Sequence, residues 1–519
     1  MDQGACNGQR DVLGFLADPA VHGLREPIQR IDTHGASVFL AGKDVYKVKR
    51  AVRYPFLDFS SLEKRRLACE RELAVNRVNA PDLYLGVVPI SRDGGRLKFG
   101  GGDIIEWAVH LRRFDENRTL DRLALRGELD REIIARLAHT AVKSHRRAPV
   151  IVSAGSSEAI RSQAEETLTS LEAVPDVFAR EPAKTLRNAM AQAFAHNESL
   201  LLAREKQGQV RRCHGDLHLR NIALIDGEPV LFDAIEFDES IATCDVLYDL
   251  AFLVMDLWTR GLRHEANLLF NRYLWICDDL HAQLKGLALL PLFLSLRAAI
   301  RAKVALLQPG EAQSQAAEAG RFFAAACAFL LPARLRMVAV GGQSGTGKSS
   351  VAAALAPSIG RAPGAVHLRS DIERKRLFGV GELDRLPREA YLPQASPPVY
   401  QRLRDLASIA LASGQSTILD AVHLRPLERA AAREVANLNK AHFTGLWLES
   451  PFELLRERVA KRAMDASDAT VEVLAVQAKH EPGAMDWHRL DASGSVEATA
   501  ADALAAILTD TDSELGELR

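Results

Sequence analysis

Residues 342–349 read Gly-Gln-Ser-Gly-Thr-Gly-Lys-Ser, a complete G-x-x-x-x-G-K-[ST] pattern. It follows the apolar run Met337-Val338-Ala339-Val340 and precedes a helix-forming stretch, Val351 to Ala356. This strand–loop–helix setting is what the pattern requires, because its backbone N–H groups must converge where a strand ends and a helix begins. The glycines let those N–H groups turn inward around a polyphosphate, and the helix adds its positive end. Lys348 is expected to reach the β- and γ-phosphates of a nucleoside triphosphate, and Ser349 to ligate Mg²⁺. Gly342, Gln343, Ser344, Gly345, Thr346, Gly347 and Ser350 complete the predicted nucleotide-binding loop.

A chain of 519 residues is too long for one ordinary core and suggests roughly two to four domains. From Arg336 onward it carries 22 Lys+Arg against 24 Asp+Glu, and before that 44 against 43. That balance argues against a dedicated nucleic-acid binder in either part. The six cysteines are dispersed without a C-x-x-C pair, which fits reduced thiols better than disulfides or a zinc site. The opening Met-Asp-Gln-Gly has no signal-peptide character. The most apolar run, Gly286 to Leu296, is about half of a membrane span. A soluble, cytoplasmic protein without membrane partners is expected.

The pattern changes near Leu331-Pro332-Ala333-Arg334, so domains are placed at 1–335 and 336–519. The first opens with strand-like segments at Ser37–Leu40 and Val45–Val48. Helical periodicity follows over Leu62–Val78 and in long stretches between Asp130 and Arg204. A strand-turn-strand signal at Ile222–Ile225 and Val230–Phe232 precedes helices from Asp245 to Leu331. The fold class expected is a small β-rich lobe, then a large helical lobe, then an α/β domain with a parallel sheet.

A second chemistry-bearing stretch lies at 214–221, His-Gly-Asp-Leu-His-Leu-Arg-Asn, followed at 230–236 by Val-Leu-Phe-Asp-Ala-Ile-Glu. One carboxylate, Asp216, can take the proton of an attacking hydroxyl. An Asn five residues on and an Asp beyond a hairpin can hold Mg²⁺ ions that bridge phosphates. The spacing matches H-R-D-x-x-x-x-N, with Gly in place of Arg.

These residues resemble the aminoglycoside phosphotransferase family, the small-molecule branch of the protein-kinase-like fold, over roughly residues 30 to 330. The resemblance implies Asp216 as catalytic base, Asn221 and Asp233 as metal ligands, and His214 as a support of the loop. It also implies a phosphate-contacting lysine in Val45-Tyr46-Lys47-Val48-Lys49. Lys47 is chosen over Lys49, with Glu72 or Glu70 as its ion-pair partner. No G-x-G-x-x-G loop precedes that strand, only His34-Gly35-Ala36-Ser37, which sets the chain apart from typical protein kinases. His218 reads as a loop histidine, and Glu236 either extends the metal site or pairs with a cation.

Beyond the phosphate loop, Val366–Asp371 and Ser416–Asp420 are strands ending in carboxylates, where open α/β sheets collect ligands. Asp420 is expected to orient Mg²⁺. A third strand, Phe443–Leu448, leads to Arg456, Arg458, Lys461 and Arg462 beside Asp465-Ala466-Ser467-Asp468, a lid-like arrangement. The stretch 336–519 resembles P-loop kinases of small molecules and polynucleotide 5′-ends: gluconate kinase-like, chloramphenicol phosphotransferase-like and zeta-toxin-like proteins. The resemblance implies Asp371 as activator of the acceptor hydroxyl, Arg369 or Arg374 as substrate grips, and Arg458 and Arg462 as phosphate contacts of the lid.

The expectation is a fused pair of ATP- and Mg²⁺-dependent phosphotransferases acting on hydroxyl groups of small metabolites or antibiotic-like molecules. The alternatives are one active domain beside a regulatory nucleotide-binding module, and a polynucleotide 5′-hydroxyl kinase built on the Arg369/Arg374/Lys375/Arg376 cluster.

Overall fold

The computed structural model describes residues 3–33, 35–54, 57–152, 155–307, 311–382, 384–461, 467–468 and 470–517. The chain forms two compact units, Met1–Glu166 with Leu201–Asp256, and Thr167–Leu200 with Leu257–Arg519. This grouping by compactness is a separate matter from the change in sequence pattern near residue 335. No helix among the described residues is long and apolar enough to cross a membrane.

In the first unit, strands β1 (Gln29–Asp32), β2 (Ala36–Ala41), β3 (Asp44–Lys49), β4 (Tyr84–Asp93), β5 (Arg96–Phe99) and β6 (Asp103–Arg112) form one antiparallel sheet, order β1-β2-β3-β6-β4-β5. Strand β3 is central, with Lys47 opposite Val38 on one side and Val109 on the other. Side chains alternate across the sheet, so Tyr46 and Val48 face away from Lys47 and Lys49. Val48 packs with Phe39, Ile90, Ala108, Val12 and Leu16, the last two from helix α1 (Gln3–Ala17). Helix α2 (Leu62–Arg77) starts at Ser61, whose hydroxyl accepts the Lys64 N–H, and it lies against the opposite face. Its Cys69 joins Leu83, Tyr84 and Val109 in a buried cluster.

A short strand, Val210–Arg212, leads to the hairpin β7 (Ile222–Ile225) and β8 (Glu228–Leu231), turned by Asp226 and Gly227 at positive φ. Helix α3 (Val246–Thr259) follows, apolar nearly throughout and buried along most of its length.

The second unit contains helices α4 (Arg263–Ile276), α5 (Leu290–Ala305) and α6 (Ala312–Phe329), then the expected parallel sheet. Its strands are β9 (Arg336–Gly342), β10 (Val366–Arg369), β11 (Thr417–Asp420), β12 (His442–Glu449) and β13 (His488–Asp491), in the order β10-β11-β9-β12-β13. All four pairings are parallel. Helices α7 (Lys348–Leu355), α8 (Ser370–Leu377), α9 (Ser396–Ala412), α10 (Pro426–Leu438), α11 (Phe452–Ala460), α12 (Val471–Ala478) and α13 (Val496–Glu517) surround it. Val338, Val340, Ile418, Leu446 and Leu448 fill one face against Val351, Leu355 and Ile507. The register sets Asp420 beside Val340 and Arg369, so carboxylate and phosphate loop lie at the same end of the sheet.

Candidate active sites

Two groups of the expected residues come together, one in each unit. In the first, Lys47 on β3 reaches both Glu72 on α2 (Nζ to Oε1, 2.9 Å) and Asp233 beyond β8 (Nζ to Oδ1, 2.6 Å). Glu70 faces outward and pairs with Arg66 at 2.6 Å. Lys49 projects on the same side as Lys47 and binds the other Glu72 oxygen at 2.6 Å and the carboxylate of Glu236. Glu236 thus pairs with a neighbouring cation. Burial pushes the Glu72 carboxyl up, and the two ammonium groups more than reverse this, holding it at about 2. Burial lowers the Lys47 ammonium, but Asp233 and Glu72 outweigh it and raise it well above its ordinary value.

Asp233 adopts a left-handed φ of 60°. Its N–H donates to the Tyr84 hydroxyl at 3.1 Å, and the next N–H, of Ala234, donates to Asn76 Oδ1 at 2.8 Å. These two bonds aim the Asp233 carboxylate at Lys47. Asn221 donates its Nδ2 to Asp216 Oδ2 at 2.8 Å and to the Asp216 carbonyl at 3.0 Å, so its Oδ1 is the oxygen left to a cation. An amide oxygen and a carboxylate suit Mg²⁺, which takes oxygen ligands and few protein ones. His218 Nε2 lies 3.3 Å from Asp216 Oδ2.

The loop bearing Asp216 is held from beneath. Gly215 has φ +82°, and a Cβ there would come within 3.2 Å of Ala242 Cα and the Ile235 side chain. His214 is kept neutral by burial, and its Nε2 donates to the Phe232 carbonyl at 3.0 Å. From α3, Asp249 accepts the N–H groups of His214 (3.3 Å) and Gly215 (2.9 Å), and Asp256 accepts that of Leu219 (3.0 Å). The sequence reading missed both acids. Their signal was present: two carboxylates seven residues apart, on one face of an otherwise apolar helix.

In the second unit, Gly342–Lys348 wraps the end of β9, and α7 begins at Lys348 behind Gly347, φ +84°. A Cβ on Gly342 would lie 2.6 Å from the Leu448 carbonyl, and one on Gly345 2.8 Å from that of Leu455. Thr346 Oγ1 and Lys348 Nζ both donate to the Gln343 carbonyl at 2.8 Å, and the Ser344 N–H donates to Gln477 Oε1 of α12 at 2.8 Å. Ser349 and Ser350 lie in the first turn of α7.

Asp420 is buried, with His367 Nε2 at 3.2 Å and Arg369 Nε at 3.6 Å. Burial works against its charge, yet the His367 hydrogen bond and the nearby cations hold it far below the ordinary carboxylate range. Asp371 sits in the first turn of α8, and burial raises it against the pull of Arg369. Two carboxylates at one site are thereby driven apart, one firmly ionised and one more basic.

The cations of this unit are distributed differently. Arg374 donates to the Ala390 carbonyl at 2.6 Å, Arg376 pairs with Glu373 at 2.8 Å, and Lys375 donates to the Glu382 carbonyl at 2.6 Å. Arg458 spends its guanidinium on the carbonyls of Ala492 (2.7 Å), Ser493 (3.1 Å) and Gly494 (3.3 Å). Arg456 and Lys461 form exposed pairs with Glu453 and Glu457. Arg462 lies outside the described residues. His423 is a residue that sequence reasoning missed. It is buried at φ +48° between the rings of Tyr400 and Trp487, and neither ring nitrogen has a partner among the described residues. Burial drives its imidazole down to about 3.

Comparison with known proteins matches residues 44–287 to the phosphotransferase enzyme family and residues 337–482 to an AAA domain family. The uncharacterized protein Rv2004c of Mycobacterium tuberculosis H37Rv is 30% identical over 475 residues, covering 89% of this chain and 92% of that one. Among solved structures, a gluconokinase from Sinorhizobium meliloti 1021 is 20% identical, spanning 36% of this chain and 99% of its own, with a TM-score of 0.27. An aminoglycoside phosphotransferase from Alicyclobacillus acidocaldarius is 15% identical, spanning 58% and 90%, with a TM-score of 0.33. Relatedness over nearly the full length of both chains decides the matter: this chain, with its phosphotransferase enzyme family stretch followed by a P-loop stretch of the AAA type, belongs to the same family as Rv2004c.

Proposed function

We propose that the protein transfers the γ-phosphate of ATP to alcohol groups of small molecules at both sites. The observation that carries the reading is Lys47, held at once by Glu72 on the sheet-flanking helix and by Asp233 beyond the hairpin. A charged lysine fixed between those two groups is placed to grip phosphate oxygens. At this site Asp216 takes the proton of the acceptor hydroxyl, the hydroxyl oxygen forms its bond to the γ-phosphorus, and the bond from phosphorus to the ADP oxygen breaks. Asn221 and Asp233 would hold Mg²⁺, which neutralises charge on the phosphates.

At the second site the N–H groups of the 342–349 loop and Lys348 receive the phosphates, Ser349 and Asp420 would hold Mg²⁺, and Asp371 takes the acceptor proton. A carboxyl raised by burial is a better base at neutral pH than an ordinary aspartate. The internal engagement of Arg374, Lys375 and Arg376 favours a small acceptor over a polynucleotide, since a strand of phosphates needs solvent-facing cations.

The test is transfer of label from [γ-³²P]ATP into a metabolite extract supplemented with aminoglycosides, comparing wild type with Asp216→Asn and Lys348→Ala. Each variant is expected to lose a different labelled product. A variant that keeps every product reduces its domain to a nucleotide-binding passenger.

A further inference from the structure

Helix α4 carries Asn267, Asn271 and Trp275 at successive four-residue steps, a single stripe along its surface. The stripe runs along β10 and the residues leading into it. Asn267 Nδ2 donates to the carbonyls of Pro363 (2.9 Å) and Ala365 (3.2 Å). Asn271 Nδ2 donates to the Ala365 carbonyl (3.1 Å), its Oδ1 accepts the His367 N–H (2.7 Å), and Trp275 Nε1 donates to the His367 carbonyl (2.8 Å). Strand β10 is the end strand of its sheet, so its outer backbone groups have no neighbouring strand. A helix backbone has no ladder to offer, and the three side chains supply the donors and acceptor instead.

What β10 delivers is the acceptor end of the phosphate-loop site. Arg369, its last residue, stacks its guanidinium 5.6 Å from the Trp275 ring centre and approaches Asp420 on its other side. His367, the second Asp420 partner, meets the Trp275 ring edge-on at 5.5 Å. Past Arg369 the chain enters α8 with Asp371, and the next residue, Ile372, packs on Trp275. Arg376 of α8 donates to the Leu274 carbonyl at 2.7 Å.

We infer that Trp275, with Asn267 and Asn271, is a positioning residue for the P-loop site, acting through Arg369 and His367 on Asp420 and Asp371. The inference rests on the reading of those two carboxylates as working groups. Helix α4 lies inside the residues matched to the phosphotransferase enzyme family, so a segment of the first family stretch sets the geometry of the second site.

The test uses the whole chain carrying Asp216→Asn, with ATP as probe and water as acceptor, so that turnover reports the P-loop site. Trp275→Phe keeps the ring and removes the N–H. It is expected to lower kcat about tenfold, with ATP affinity and melting temperature unchanged. Combined with Arg369→Lys it should cost no more than Arg369→Lys alone, because the two act in series. Asn271→Asp, which keeps the acceptor and loses the donor, is expected to give a smaller drop of the same kind. If the background protein has no turnover, or Asp371→Asn leaves turnover intact, the functional reading fails and takes this inference with it. If Asp371→Asn abolishes turnover while Trp275→Phe is neutral, this inference alone falls. It also falls if the Trp275 and Arg369 effects add, or if ATP affinity and melting temperature drop alongside kcat.

Discussion

Replacing Glu72 by Gln keeps its shape and one acceptor oxygen but removes the charge that faces both Lys47 and Lys49. The carboxyl is held at about 2 against an ordinary 4.5, which corresponds to about 3 kcal/mol of stability at neutral pH. The side chain is fully buried, so solvent does not screen this contribution. For a unit of this size each kcal/mol moves the midpoint by about 2–4 °C, so Glu72→Gln should melt about 6–12 °C lower at pH 7. The sign with pH follows from the depressed folded-state value. The contribution is complete above 4.5, begins to fade as the unfolded chain takes up its proton, and is gone below about 2. By pH 3.5 about 1 kcal/mol of the difference between wild type and variant should have vanished. Thermal melts of both proteins across pH 7 to 3.5, followed by circular dichroism at the first-unit transition, measure this directly. A midpoint shift under 2 °C at pH 7, or a shift that stays constant down to pH 3.5, would refute the idea that paired charge at Glu72 stabilises the unit.

Three other perturbations are accessible. Asp249→Ala strips the acceptor from the His214 and Gly215 N–H groups and should cost about 3 kcal/mol in urea unfolding, and a loss under about 1 kcal/mol would mean that these bonds do not hold the loop. His423→Phe removes an imidazole that stays neutral down to about 3 when folded but protonates near 6.5 when unfolded. Wild-type stability should therefore fall by about 1.4 kcal/mol more per pH unit than the variant's between those values as pH drops, and parallel urea titrations would expose equal slopes as a failure. Gly345→Ala forces a Cβ to 2.8 Å from the Leu455 carbonyl at φ +90°, and should cost about 1–3 kcal/mol while weakening binding of a fluorescent ATP analogue. Unchanged binding would mean that the loop tolerates the side chain.

The parts of the fold that sequence made legible are those with strong local signals. The segment Met337–Val340 lies within β9, Leu62–Val78 matches α2 within a residue, and Asp226-Gly227 turns the β7–β8 hairpin. Strands β4, β5 and β6 went unread although they pair with one another, because β4 runs ten residues with register irregularities between Tyr84 and Gly86 and between Ile90 and Ser91 that break strict alternation. The choice between Glu70 and Glu72 depended on which helix face meets β3, a tertiary fact. Two steps of helix rotation, about 200°, bury one and expose the other. Arg458 illustrates the converse. Its spacing among other cations suggested a phosphate grip, yet it ties down the turn at 492–494, whose distance along the chain hides the contact from any local pattern.

The stripe on α4 also bears on how the chain reaches its native state without sticking to copies of itself. An uncovered end strand is a template for pairing with another chain, and β10, which reads Val-His-Leu-Arg, is buried at each of its four positions. The residues that close it lie some ninety positions earlier, Asn267 to Pro363 being 96 apart. They are therefore made first, and the cap is waiting before the strand leaves the ribosome. A fragment that starts at the phosphate-binding strand would carry the same sheet with that edge bare. Its solubility, rather than its nucleotide affinity, would be the first property to suffer.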